Sequence, residues 1–174
     1  MMRKMLVMLA VLGLVTVGLI APVGADSSSR PFKGSVTGEV TFPFVGEGIC
    51  PATDVFLGGL RTDSEATGTV SHLGRTTMTS SHCTPLFETI AGGEMTLVAA
   101  NGDEVIIHYW GSAPFPIPGV TEFIDVDLDF VIVGGTGRFE GATGGGEMQA
   151  RAVFEGFMDP AWPASWHWDG TIGY

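Results

Sequence analysis

The chain has 174 residues, 45% of them hydrophobic and 16% charged, enough for one domain with a short appendage. The charged share lies below the usual ~25%, and the 26 glycines are well above the usual share of about 7%. Those glycines follow no Gly-X-Y period, which excludes collagen, and low charge with many apolar residues excludes a disordered chain.

The first 25 residues read as an export signal. Arg3 and Lys4 form a positive start, Met5 to Ile20 is an apolar run, and Ala21-Pro22-Val23-Gly24-Ala25 ends it with a helix break and small residues. Val23 and Ala25 suit the −3 and −1 positions of a signal-peptidase site. The run is short for a spanning helix, so the expectation is cleavage after Ala25, a secreted protein, and no membrane attachment afterwards. Cleavage removes Arg3 and Lys4 and no acid, leaving six basic against 19 acidic residues and a formal charge of −13. A field of that sign repels nucleic acid and anionic lipid. Neither is an expected partner.

Residues 26–33 are Ser-rich with a proline and read as a flexible leader, with a single domain over 34–174. Cys50 and Cys83 are the only cysteines. In an exported chain such a pair is expected to form a disulfide, and closing a loop of this length contributes roughly 3–4 kcal/mol in the chain-entropy picture.

Beyond the leader, strand-like runs and turns alternate. Ser35 to Phe44 carries Val36, Val40, Phe42 and Phe44 on one parity. Glu65 to His72 and Arg75 to His82 flank Leu73-Gly74 as a hairpin, which as a two-residue turn would set His72 near Arg75 and His82 across from Glu65. Glu94 to Ala100 and Asp103 to Trp110 flank Asn101-Gly102, a strong hairpin signal because both turn residues tolerate positive φ. Asn101 is the only asparagine, so there is no glycosylation sequon. Gly111 to Gly119, with three prolines, reads as a loop. Thr121 to Val133 is the clearest strand, with Ile124, Val126, Leu128, Phe130 and Ile132 on one parity and Asp125, Asp127 and Asp129 on the other. Glu147 to Phe157 alternates again, Asp159 to Ala164 reads as a Pro-Trp loop, and Trp166 to Tyr174 closes the chain as a strand. No stretch of the mature chain sustains a helical apolar period. The pattern predicts an all-β fold of roughly eight strands, an up-and-down barrel or a sandwich, and closure of its edges favours the barrel. An eight-stranded barrel is just wide enough inside for side chains or one small ligand.

Between the two best late strands lies Gly134-Gly135-Thr136-Gly137-Arg138-Phe139-Glu140-Gly141-Ala142-Thr143-Gly144. It breaks the Gly-x-Gly-x-x-Gly spacing, has no P-loop Lys-Ser/Thr, and is followed by a strand where both phosphate motifs need a helix. It reads as a structural turn through Gly134, Gly135, Gly137, Gly141 and Gly144. This stretch, with Ala99-Ala100-Asn101-Gly102-Asp103 and Trp168-Asp169-Gly170-Thr171-Ile172, resembles the allene oxide cyclase and dirigent barrel superfamily, and in particular its secreted bacterial branch. The resemblance implies an eight-stranded antiparallel (calycin-like) barrel, a lumen open at one end, and homo-oligomers. In the plant members it implies cyclisation or coupling of apolar intermediates. It supplies a turn; no catalytic residue can be carried onto a numbered position here.

Three constellations remain. The Asp125, Asp127 and Asp129 carboxylates, about 6.6–6.8 Å apart along one strand face, could bind a cation; opposite an aliphatic face they read better as solvated, because three unpaired buried carboxylates would cost several kcal/mol. His72, His82, His108 and His167 are too dispersed to predict a metal site, and no cofactor is expected. The aromatics are the candidate ligand contacts, in the lumen or at its mouth: Trp110, Phe115, Phe130, Trp166 and Trp168. The first functional reading is therefore a secreted barrel whose lumen holds a small apolar molecule. The alternatives are a cyclase- or isomerase-like enzyme using the same lumen, and an extracellular carbohydrate-binding or surface-interaction module.

Overall fold

The computed structural model describes residues 28–42, 49–50, 59–85 and 89–174, with only the backbone at 49–50, 59–60 and 85. Its strands are β1 (Arg30–Thr41), β2 (Ile49–Cys50), β3 (Gly59–Val70), β4 (Gly74–Pro85), β5 (Thr89–Ala99), β6 (Glu104–Ser112), β7 (Phe123–Gly135), β8 (Thr143–Val153) and β9 (Ala161–Gly173). From β3 to β9 each strand pairs antiparallel with the next, and β1 pairs with both β9 and β3. That closes an eight-stranded antiparallel up-and-down barrel of β1 and β3–β9. The two residues of β2 extend the sheet where β1 no longer reaches, Ile49 lying opposite Leu60 while the β1–β3 ladder ends at Thr41 opposite Asp63.

Alternation fixes the inside. Val36, Ala66, Met78, Leu97, Ile107, Phe130, Met148 and Trp166 all point inward and are buried, each large side chain contributing about 1.5–3 kcal/mol. On β7, Ile124, Leu128, Phe130 and Ile132 are buried while Asp125, Asp127 and Asp129 are exposed, as the pattern predicts. Asp125 pairs with Arg151 on the outer surface at 2.6 Å.

The glycine-rich turn forms the floor of the barrel. Phe139, on the single 3-10 turn Gly137–Phe139, is fully buried, beside Leu73 and Ala142. Arg138 fixes it from outside, donating to the His72 carbonyl at 2.5 Å and facing Asp103 at 3.5 Å. Gly137 has φ +58, and a Cβ there would stand 2.0 Å from Asp103 Oδ1.

Several boundaries differ from expectation. β1 starts at Arg30, inside the expected leader, because Phe32 is an inward anchor with no exposure. β8 starts at Thr143, its glycines 144–146 pairing fully despite their low strand propensity. β9 starts at Ala161 and includes Pro163, which lies past the last β8 partner, Ala164 opposite Ala152, so only β1 pairs there; proline is tolerated where one ladder is missing. The β3–β4 turn has three residues, Ser71 to Leu73, with Val70 opposite Gly74 and His72 at φ +68. The longer turn shifts the register, so that His82 lies opposite Thr62 and Thr79 opposite Glu65.

Candidate functional site

The end of the barrel opposite the Phe139 floor carries the long connections, residues 113–122 and 154–160. Several inward positions there are small, Val126, Ala150, Ala152 and Ala164 with Val40 on β1, while Ile124 and Trp162 are large and buried. Val40, Val126, Ala150 and Ala152 stay half-buried although they point into the barrel. Solvent therefore reaches the inner wall at this end, while the other end is filled by Phe32, Phe130, Phe139 and Ile172.

A polar group lies on the inner face of β3, β4 and β6. Strand register sets Thr62 opposite His82 and Ser64 opposite Ser80 across β3 and β4; Thr62, Ser64 and Ser80 are buried. His82 Nδ1 and the Tyr109 hydroxyl share a hydrogen bond of 2.9 Å, with the two rings edge to face. Burial pushes the His82 imidazole down to about 4, against the opposing charge of Asp63. Burial pushes the Tyr109 phenol up to about 12; the Ser80 hydroxyl works against this and the Asp63 charge adds to it. Both groups are neutral at neutral pH, so the pair offers hydrogen bonding without charge.

A bulge sets this geometry. On β5 the register runs Ser81 opposite Glu94 and then Cys83 opposite Ala91, so Gly92 and Gly93 face His82 without a regular ladder. Gly92 has φ +61. After the bulge Gly93 lies opposite Tyr109, and a Cβ on Gly93 would stand 2.6 Å from three carbons of the Tyr109 ring. Bulges of this kind re-aim side chains beside functional sites.

The entrance has an aromatic collar. Phe42 meets Trp162 at 4.4 Å between ring centroids, Trp162 meets Phe154 at 5.0 Å, Phe154 meets Phe157 at 5.1 Å, and Phe157 stacks on Phe115 at 5.6 Å. Trp162 points inward and anchors its indole N–H on the Gly156 carbonyl at 3.2 Å. Phe115 and Phe157 remain half exposed at the rim.

The residues singled out in the sequence divide accordingly. Phe130, Trp166 and Trp168 line the interior, and Phe115 belongs to the collar. Trp110 does not: β6 alternation turns Tyr109 inward and Trp110 outward, opposite the exposed Asp129. Trp168 is 3% exposed, and its Nε1 has no hydrogen-bond partner. His82, Tyr109, Ser80, Ser64, Thr62 and Trp162 were not legible as a group. The signal that pointed to them is Ala91-Gly92-Gly93, since adjacent glycines in a strand mark a bulge or a close approach. Among the described residues no three His, Cys, Asp or Glu side chains gather to hold a metal ion. The expected Cys50–Cys83 bridge ends on a side chain outside the described residues, as does the export signal.

No protein-family model matches the chain, and no curated protein matches it either.

Proposed function

We propose that this is an exported barrel that holds a small, mainly apolar molecule in the open half of its lumen. One observation carries this reading. Inward-facing Val126, Ala150 and Ala152 stay half-buried in a barrel that also carries the hydrogen-bonded pair of half-buried His82 and buried Tyr109 on its inner face. An apolar wall with a few convergent polar groups is the usual make-up of a small-molecule site, and the collar from Phe42 to Phe115 gives an apolar molecule a surface to enter along.

The same pair weighs against the enzyme reading. Proton transfer is most efficient when the pKa lies near the working pH, whereas His82 is held at about 4 and Tyr109 at about 12. A neutral hydrogen-bonding anchor suits retention better than acid–base chemistry. Kinship with the allene oxide cyclase and dirigent barrels, export through residues 1–25, and a Cys50–Cys83 bridge complete the proposal. The turn from Gly134 to Gly144 supports the first, and the second rests on the pattern of charge and small residues. The bridge rests on there being two cysteines in the whole chain and no free cysteine among the described residues.

Native mass spectrometry of protein recovered from culture medium tests the reading. The expected result is a species whose excess mass leaves on mild activation and extracts into organic solvent. Protein that carries no excess mass, and takes up none from a panel of small apolar compounds, rules the reading out.

A further inference from the structure

Among the described residues no charged side chain is buried inside the barrel, and the Asp63 carboxylate acts on His82 and Tyr109 from a half-buried position. Arg30, Lys33, Arg61, Arg75, Arg138 and Arg151, the six basic residues that follow the export signal, are all exposed. Among the described residues no Asp or Glu is buried; the buried polar residues are the hydroxyl-bearing Thr62, Ser64, Thr76 and Ser80. An ionised head group drawn into this lumen would stand unpaired, which apolar surroundings strongly disfavour.

One interior donor is left over. The Trp168 indole N–H is buried without a partner, and an indole nitrogen only donates. Native proteins rarely leave such a group orphaned, and each case calls for a cause. Trp168 lies opposite Gly34 on β1 and Met148 on β8. Gly34 places no side chain against it, and the half-exposed Ala150, two residues on from Met148, is its diagonal cross-strand neighbour, within reach of a long aromatic side chain. The unpaired donor thus lies one inward position deeper than Trp166, with half-exposed Ala150 on its diagonal.

We infer that the lumen takes an uncharged molecule whose carbonyl or ether oxygen accepts the Trp168 indole N–H. This rests on the lumen-binding reading above and narrows its ligand class. A carboxylate or an ammonium of the same size is disfavoured, since no charged side chain among the described residues is buried to pair with it. A plain hydrocarbon enters but leaves the donor unpaired.

Isothermal titration of the mature protein with four naphthalenes of similar size tests this: 1-acetonaphthone, 1-methylnaphthalene, 1-naphthoate and 1-naphthylmethylammonium. The ketone is expected to bind about two- to tenfold tighter than the hydrocarbon, the worth of one hydrogen bond, and both charged probes at least about a hundredfold more weakly. Trp168→Phe should bring the ketone down to the hydrocarbon and leave the hydrocarbon unchanged. Should that variant not fold, the wild-type protein decides: its Trp168 indole N–H resonance should move with acetonaphthone and stay with methylnaphthalene. Naphthoate binding as tightly as the ketone, a ketone advantage that survives Trp168→Phe, or an indole resonance blind to the ketone overturns this inference and leaves lumen binding standing. If none of the four binds, both fall.

Discussion

The ring of Tyr109 lies directly over Gly93, so close that a single added carbon at Gly93 would stand 2.6 Å from three ring atoms. The absence of a side chain at one position therefore holds the phenol where it meets His82 at 2.9 Å. Gly93→Ala should push the ring away, break that hydrogen bond, and destabilise the fold by about 1–3 kcal/mol, as overpacking does. Urea denaturation reads the loss, and NMR titration should show the His82 pKa moved from its wild-type value. An unchanged midpoint and an unchanged titration would count against this account.

Acid should unfold the protein through His82. The unfolded imidazole takes up a proton near 6.5 and the folded one only near about 4, so the unfolded state binds more protons as the pH falls. The contribution of the neutral imidazole is intact above about 6.5 and is lost between there and about 4, about 3 kcal/mol in all. Tyr109 gives the mirror case: its raised pKa stabilises the fold fully below 10, and that is lost as the pH rises toward about 12. Denaturation midpoints should therefore hold steady between about 6.5 and 10 as far as this pair governs them. His82→Gln should flatten the acid limb; an equally steep limb in that variant would place its cause elsewhere.

The two faces of β7 should respond in opposite ways. Leu128 is 6% exposed, and Leu128→Ala should cost about 2–5 kcal/mol. Asp127 is exposed, its one polar contact the long 3.4 Å approach of Gln149, and Asp127→Asn should stay within about 0.5 kcal/mol. Thermal melts of both variants, side by side, settle the comparison.

Damage to the floor should be severe. Gly137→Ala combines left-handed backbone with a clash against Asp103 and should cost more than about 1 kcal/mol. Phe139→Ala, emptying a fully buried position, should cost about 3–5 kcal/mol. Ligand uptake at the far end should survive in whatever fraction stays folded, measured with 1-acetonaphthone.

The cysteine pairing has a direct assay. Unreduced protein unfolded in guanidinium should give no reaction with a thiol reagent, and two reactive thiols after reduction. Two thiols before reduction would remove the bridge from the proposal.

Where one face is greasy and the other charged, the fold could be read directly. β7 is such a case; the hairpin around Asn101-Gly102 is legible too, although its turn has three residues, Ala100 to Gly102, with Gly102 alone of them at positive φ. β3 and β4 are different. Both are rich in threonine and serine on both parities, so hydrophobicity does not say which residues point inward, and a turn one residue longer than expected decides it. His82 and Tyr109 come from separate hairpins and meet only through barrel closure and the β5 bulge, neither of which a local pattern encodes. Trp110 was misplaced for a related reason: Tyr109 and Trp110 are adjacent aromatics, and alternation sends just one of them inside. The short β1 leader was misjudged because Phe32 is a lone apolar residue among polar neighbours, and its importance comes from partners more than a hundred positions away.

Arg30 lies opposite Ile172, and the pairing of β1 with β9 continues to Thr41 opposite Ala161. One edge of β1 thus waits for the last strand of the chain. During synthesis β3 to β8 can zip hairpin by hairpin as they emerge, but the circle stays open until residues 161–173 arrive. Contacts so distant in sequence are formed late and slowly, and until then the open sheet has bare edges able to pair with another chain. A nascent copy cut short before β9 would be an unclosed, sticky sheet, so the thirteen residues of β9 govern solubility as much as shape.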